Sequence, residues 1–370
     1  MRIVLTGGGT GGHVYPALAV AQALRAAEPS VSITYVGTGR GIERELAAKN
    51  GIEFRAISAR GILGKSPVAA LAGVMAAGRG VLEAMALLRG IRPSCVLGTG
   101  GYVSGPVVLA AATLGIPRAI QEQNAIAGFT NRLLGHVVQG VFLGFEDAAK
   151  EFPRHKVRVT GNPVRGEISS AGRDSSLKIL ELDPSKKTLF ILGGSRGARS
   201  IVDAGLRLSR GGLGDDVQVL FVTGNDYYGA AARAAGAGIT PGRAGNTILI
   251  PYIHNVENAL ACADLAVCRA GGMTVAELAA AGVPAVLVPS PNVANNHQEW
   301  NARALERKGG AVVVLEGERF VDRVEDTVRG LLADPTRLES MKRAARAAGR
   351  PGAAREIAVG LLSMARTGSL

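Results

Sequence analysis

The chain alternates short apolar runs with longer stretches whose apolar positions recur three and four residues apart, and glycine marks most of the changes between them. Apolar runs that short, bounded by glycine and followed by helical spacing, predict strands joined by crossover helices, and therefore parallel sheets. "RIVLT" (2–6) reads as a strand, 14–27 as a helix and "VSITYVGT" (31–38) as the next strand; "PSCVLGTGG", "IPRAIQEQN", "GVFLGF" and "VRVTGNP" continue the series to about residue 163. The grammar then restarts at "KTLFILGGSRGARS" (187–200), again a strand running into a glycine turn and a helix, and "VQVLFVTG", "NTILIPYI", "ADLAVCRAGG" and "VPAVLVPSP" follow. The expected fold class is α/β, with two Rossmann-like parallel-sheet domains facing a central cleft. Their expected bounds are 1–163 and 164–340, with a strandless helical tail at 341–370 that could pack back on the first domain. Ligands in such sheets bind beyond the carboxyl ends of the strands.

Charge sharpens this picture. The formal net charge of +12 is unevenly placed: residues 1–163 carry 17 basic and 9 acidic side chains, 164–340 carry 19 and 20, and 341–370 carry 6 and 1. A basic first half attracts nucleic acid, an anionic membrane or an anionic substrate. No basic–aromatic interleaving or singly loaded helix face supports nucleic acid, so that partner is not expected. Three cysteines without C-x-x-C spacing read as buried thiols in a reducing compartment. The longest uncharged stretch, 93–117, holds five glycines and three prolines and reads as strand, loop and helix, not a membrane span. No secretory signal is visible.

"GGGTGGH" (7–13) satisfies G-x-G-x-x-G, the dinucleotide turn, yet the second strand ends in "YVGTGRG" without the acid that would hold a ribose. Arg40 could meet a 2′-phosphate, which keeps an NADP-binding or otherwise non-catalytic nucleotide module as an alternative. His13 sits where a helix N-terminus favours neutral imidazole, suited to accept a proton from a hydroxyl; a histidine that only closes the turn is the plainer reading. "GTGGYVSGP" (98–106) and "QEQNAIAGFTN" (121–131) place further glycines and the polar Glu122, Gln123 and Asn124 at strand ends, as a site or as a polar loop. In the second half, "GGSRGARS" offers backbone amides and Ser195 to an anion. "CRAGGMTVAELAAAG" holds Thr274 and Glu277 in capping-box spacing, so Glu277 either caps a helix or accepts ribose hydroxyls. The amide-rich 292–302 suits a sugar or a solvated loop. Residues 61–92 join an apolar helical pattern to Lys65, Arg79, Arg89 and Arg92, either as an ordinary helix pair or as a patch docking on anionic lipid. No metal-ligand spacing occurs, so neither metal nor cofactor is expected; a diphosphate's charge would fall to helix N-termini, Ser195 and Arg165.

Taken in order, "GGTGGHVYPALAVA", "VLGTGGYVSGPVVLAA", "EQNAIAGFTN", "VTGNPVR", "GGSRGA" and "TVAELAAAGVPAVLVP" make nearly the whole chain resemble the MurG family of bacterial peptidoglycan-synthesis glycosyltransferases. The resemblance implies a GT-B fold and inverting transfer of N-acetylglucosamine from UDP-GlcNAc to the MurNAc 4-hydroxyl of lipid I, giving lipid II. It also implies peripheral attachment to an anionic membrane at the cytoplasmic face, among other cell-wall synthesis proteins. Catalytic positions fall on His13, as general base, and Glu122. Donor positions fall on Thr10, Gly11, Gly12, Asn124, Arg165, Ser195, Ile253, Gly272, Met273, Thr274, Val275, Ala276, Glu277 and Gln298. Gly9, Gly100, Gly101 and Tyr102 would embrace the acceptor pyrophosphate, and Lys65, Arg79, Arg89 and Arg92 fall in the membrane region. Arg196, His297 and Gln121 depart from the family pattern, where Gln, Gln and His are expected. A UDP-GlcNAc 2-epimerase on the same architecture is the alternative.

Overall fold

The computed structural model describes every residue except 40, 60–66, 195, 196, 211, 236–241, 245 and 370, and gives the backbone alone for 67–77, 235 and 242–244. By contacts the chain divides into two units: Met1–Arg165 with Arg350–Leu370, and Gly166–Gly349.

The first unit is one parallel sheet ordered β3-β2-β1-β4-β5-β6-β7. Its strands are β1 (Arg2–Thr6), β2 (Ser32–Gly37), β3 (Glu53–Ala56), β4 (Cys95–Gly98), β5 (Arg118–Glu122), β6 (Gly140–Leu143) and β7 (Val157–Val159). Its crossover helices are α1 (Gly11–Ala27), α2 (Glu43–Lys49), α3 (Pro67–Ile91), α4 (Gly101–Thr113) and α5 (Phe129–Leu134). Side chains alternate across the strands. Ile3, Leu5, Cys95 and Leu97 pack towards α1, while Val4 and Val96 pack towards α4. The strand reading of the sequence missed only the short β3 here, four residues in which the half-buried Phe54 stands between the charged Glu53 and Arg55.

The second unit repeats the plan in the order β10-β11-β9-β8-β12-β13-β14, all parallel except the β10–β11 pair. It contains α6 (Glu167–Ser170), α7 (Arg173–Ile179), β8 (Lys187–Leu192), α8 (Arg199–Arg210), β9 (Val217–Val222), α9 (Tyr228–Ala235), β10 (Gly242–Ala244) and β11 (Thr247–Ile250). It continues with α10 (Val256–Cys262), β12 (Leu265–Cys268), α11 (Gly272–Ala281), β13 (Ala285–Leu287), α12 (His297–Arg307), β14 (Ala311–Val313), α13 (Phe320–Leu332) and α14 (Pro335–Ala348). Its main core joins Leu189, Phe221 and Val267 of the strands to Ile201 of α8 and Val324 and Val328 of α13. All three cysteines are buried and free. Burial pushes the Cys95 and Cys268 thiols up to about 12 and Cys262 to about 11.

The basic tail is split between the units. Residues 341–349 complete α14 and its cap in the second unit, and α15 (Ala353–Thr367) returns to the first. Ile357, Ala358, Leu361 and Met364 are fully buried and share a core with Leu18, Leu24 and Leu97. Each large apolar side chain so buried contributes about 1.5–3 kcal/mol. Leu361→Ala is expected to lower unfolding free energy by about 2–5 kcal/mol, read from urea denaturation; a change below ~1 kcal/mol would show that α15 is not an integral layer of this unit.

Candidate functional site

The first unit gathers its polar groups at the carboxyl edge of β1, β4 and β5. The helix predicted at 14–27 begins at Gly11, so Gly11, Gly12 and His13 form its opening turn, with Thr10 as an extended N-cap whose side chain does not cap. Two glycine loops meet there. The Gly8 N–H donates to the Gly100 carbonyl at 3.3 Å. A Cβ on Gly101 would overlap the Gly8 carbonyl, and one on Gly100 would lie 2.8 Å from His13 Nδ1; both residues have positive φ, +76° and +102°. The Tyr102 ring lies against Gly9. Below the first loop, the buried Tyr35 hydroxyl donates to the Gly7 carbonyl at 2.7 Å, and the fully buried Glu43 accepts from the Gly9 N–H at 3.4 Å.

His13 is pinned between these loops and β5. Its Nδ1 lies 3.2 Å from the Thr99 carbonyl and 3.0 Å from Gln123 Oε1, while the Thr99 hydroxyl donates to the His13 carbonyl at 2.6 Å. Among the described residues, Nε2 has no hydrogen-bond partner. Glu122 behaves differently. Its Oε1 accepts from the Asn124 N–H at 2.9 Å and Asn124 Nδ2 at 3.1 Å; its Oε2 accepts from the Gly128 N–H at 3.0 Å and Asn131 Nδ2 at 2.9 Å. The carboxylate expected as a catalytic group is thus 1 % exposed and spent on its own loop and on the start of α5. Arg165, expected at the donor, stacks its guanidinium 5.9 Å from the Tyr15 ring centroid on α1. Gln123, read from the sequence as a hydrogen-bonding group of the 121–131 loop, faces His13; Thr99, just past β4, and Asn131, on α5, are the polar groups that motif reading passed over.

In the second unit the capping-box reading fails. α11 starts at Gly272 with Gly271 as N-cap, so Thr274 lies inside the first turn and Glu277 in the second. Gly272, Met273 and Thr274 therefore form the first turn of α11, beyond the carboxyl end of β12. Glu277 is half-buried, and its charge, after burial, is what holds the Cys268 thiol high. Val275 faces the core and Ala276 is half-buried.

Arg269 ties this edge together: it pairs with Glu316 at 2.6 Å, donates to Ser200 Oγ at 2.9 Å and reaches the Val288 and Pro289 carbonyls at 3.2 Å. Gln298 Oε1 accepts from the Ser290 N–H at 2.9 Å, and among the described residues its Nε2 has no protein partner. His297, one of the departures from the family pattern, turns Nδ1 to the Ala294 carbonyl of its own loop at 2.9 Å. Ile253 is half-buried in the loop after β11. Ser195 and Arg196 lie outside the described residues.

In 61–92, Lys65 also lies outside them. Arg79 pairs with Glu83 at 2.7 Å, and Glu83 also accepts from the Ser58 N–H at 2.6 Å. Arg89 and Arg92 are exposed, as is Leu82. Among the described residues no helix is long and apolar enough to cross a membrane.

Two family models match the chain, the glycosyltransferase family 28 N-terminal domain over residues 3–143 and its C-terminal domain over 188–357. The chain belongs to glycosyltransferase family 28. A relative from Moorella thermoacetica, named UDP-N-acetylglucosamine–N-acetylmuramyl-(pentapeptide) pyrophosphoryl-undecaprenol N-acetylglucosamine transferase, is 45 % identical with 100 % of both chains covered. Among solved structures, the MurG of Acinetobacter baumannii matches this family 28 chain with a TM-score of 0.75 at 29 % identity, covering 98 % of this chain and 99 % of that one. A UDP-GlcNAc 2-epimerase from Neisseria meningitidis matches with a TM-score of 0.68 at 15 % identity, covering 98 % and 100 %, a likeness of fold alone.

The loop packing separates two glycines of the family 28 motif. Gly101→Ala is expected to cost more than ~2 kcal/mol, combining left-handed strain with displacement of the first loop. Gly12→Ala, whose Cβ would meet nothing closer than Thr10 Oγ1 at 3.6 Å, should leave the unfolding midpoint unchanged. Urea titration of both variants checks this; equal losses would mean that the loops are not built on close approach.

Proposed function

We propose that this family 28 enzyme transfers N-acetylglucosamine from UDP-GlcNAc to the 4-hydroxyl of the MurNAc sugar in lipid I, forming lipid II with inversion at the transferred sugar. The single observation that supports it most is the full-length 45 % identity to a transferase named for that reaction, and the site chemistry agrees. His13 Nε2 takes the proton from the acceptor hydroxyl. The freed oxygen attacks the anomeric carbon, the bond from that carbon to the diphosphate oxygen breaks, and UDP leaves with the electron pair. A positioned base of this kind contributes about 10²–10⁴-fold.

The leaving diphosphate is met by the opening turn of α11, with Gly272, Met273 and Thr274, and by Ser195; the helix dipole supplies positive potential where charge develops. Glu277, half-buried in the second turn of α11, accepts the ribose hydroxyls. Gln298 turns its amide nitrogen to the sugar, and Ile253 borders the base. Thr10, Gly11, Gly12, Asn124 and Arg165 complete the donor contacts, and Gly9, Gly100, Gly101 and Tyr102 receive the acceptor pyrophosphate. Glu122 holds the 121–131 loop in shape, in keeping with its four hydrogen bonds.

The acceptor's lipid tail calls for a surface, and we assign it to 61–92 as a peripheral contact at the cytoplasmic face. Arg89 and Arg92 provide its described positive charge, while the Arg79 pair with Glu83 makes that residue the weaker contributor.

His13→Ala is expected to lower kcat by about 10²–10⁴-fold with the donor KM changed little, measured with labelled UDP-GlcNAc, a lipid I analogue and a chelator present. Unchanged kcat removes the base from His13. Conversion of UDP-GlcNAc with no acceptor added would favour the epimerase reading. Vesicles containing anionic lipid should bind the protein in a salt-sensitive way, and a Lys65, Arg89 and Arg92 triple charge reversal should abolish sedimentation with them; binding indifferent to lipid charge counts against the assigned surface.

A further inference from the structure

The reading of His13 as the base leaves open what keeps its proton on one ring nitrogen, and a buried run of amides behind it answers that. Asn162 Nδ2 donates to the backbone carbonyl of Gln123 at 2.9 Å, which turns Asn162 Oδ1 towards Gln121. Gln121 Nε2 donates to that oxygen at 2.8 Å and to the Glu122 carbonyl at 3.1 Å, so Gln121 Oε1 faces Gln123. Gln123 Nε2 then donates to Gln121 Oε1 and to two backbone carbonyls, Thr99 at 2.7 Å and Gln121 at 3.1 Å. Only one orientation of the Gln123 amide satisfies these acceptors, and it leaves Oε1 facing His13 Nδ1 at 3.0 Å.

Backbone carbonyls cannot donate, so they fix every amide in the run without appeal to any titrating group. Gln121, Gln123 and Asn162 are 0 %, 3 % and 2 % exposed, and reversing any one of them would bury oxygen against oxygen with its hydrogen bonds unmade. His13 Nδ1 faces two acceptors, Gln123 Oε1 and the Thr99 carbonyl, and must be the protonated nitrogen of the neutral ring. Its lone pair is thereby assigned to Nε2.

We propose that Gln123 is a positioning residue for the transfer reaction: backed by Gln121 and Asn162, it holds His13 in the Nδ1–H tautomer so that Nε2 is always the atom available to take the acceptor's proton. The role differs from structural support, because it concerns which nitrogen carries hydrogen and not whether the loop is folded.

The decisive measurement is the ¹⁵N spectrum of the imidazole rings in the full-length protein without ligand, His13 being assigned by the signal lost in His13→Ala. A protonated Nδ1 and a bare Nε2 are expected for His13. In Gln123→Leu the two His13 shifts should move towards the opposite tautomer or an average of both, while those of the other histidines stay in place. That variant should lose about 10- to 100-fold in kcat, the range typical of outer partners of metal-bound histidines, with donor KM nearly unchanged. A wild-type ring protonated at Nε2 overturns the proposal without any variant, as does an unshifted His13 in folded Gln123→Leu. These failures differ from failure of the base reading, which would appear as full activity in His13→Ala whatever the spectrum shows.

Discussion

The first unit's polar edge depends on how closely two backbone loops approach. The turn after β1 and the turn after β4 touch through glycines, with the Gly8 amide on the Gly100 carbonyl and no room for a side chain at Gly101. That contact is what lets a residue of α1, His13, lie against the backbone of β4 and the side chain of a residue following β5. The glycines of the motif are thus partly structural: they bring protein to protein before they bring protein to ligand.

The second unit solves the matching problem with charge. Its helix start at Gly272 and the Arg269–Glu316–Ser200 cluster fix three strand ends at once. A partly buried ion pair of this kind returns little net stability because desolvation offsets the attraction. What it contributes is geometry, since one guanidinium spans two loops and the first turn of α8.

Much of the architecture was legible in the letters. Parallel strands buried on both faces read as continuous apolar runs, so β1, β4, β9 and β12 stand out. Strands β3, β10 and β14 did not: they are three or four residues long and lie at sheet edges, too short for an apolar run to register. Helix starts were misread in a consistent direction: α1 begins three residues before its predicted start, and α11 begins before the threonine that mimics a cap. In both cases glycine opens the helix, and glycine is the residue that propensity scores against. The sequence also suggested His13 but ranked Glu122 beside it. A carboxylate with four donors around it cannot be distinguished by composition from one open to a substrate. Gln123 was legible as a polar group of the same loop, but the orientation of its amide was not, because the Thr99 carbonyl that helps to set it is distant in sequence.

The path of the chain between the units has a consequence for synthesis. Translation delivers β1–β7 first and then the whole of Gly166–Gly349, and only afterwards α15, whose Ile357, Leu361 and Met364 close the core over α1. Until then the first sheet has an uncovered oily flank, and exposed surface of that sort is where nascent chains stick to one another. The unit begun first is therefore the one finished last. A chain cut before residue 353 would keep every residue of the second unit and leave the first without its outer wall.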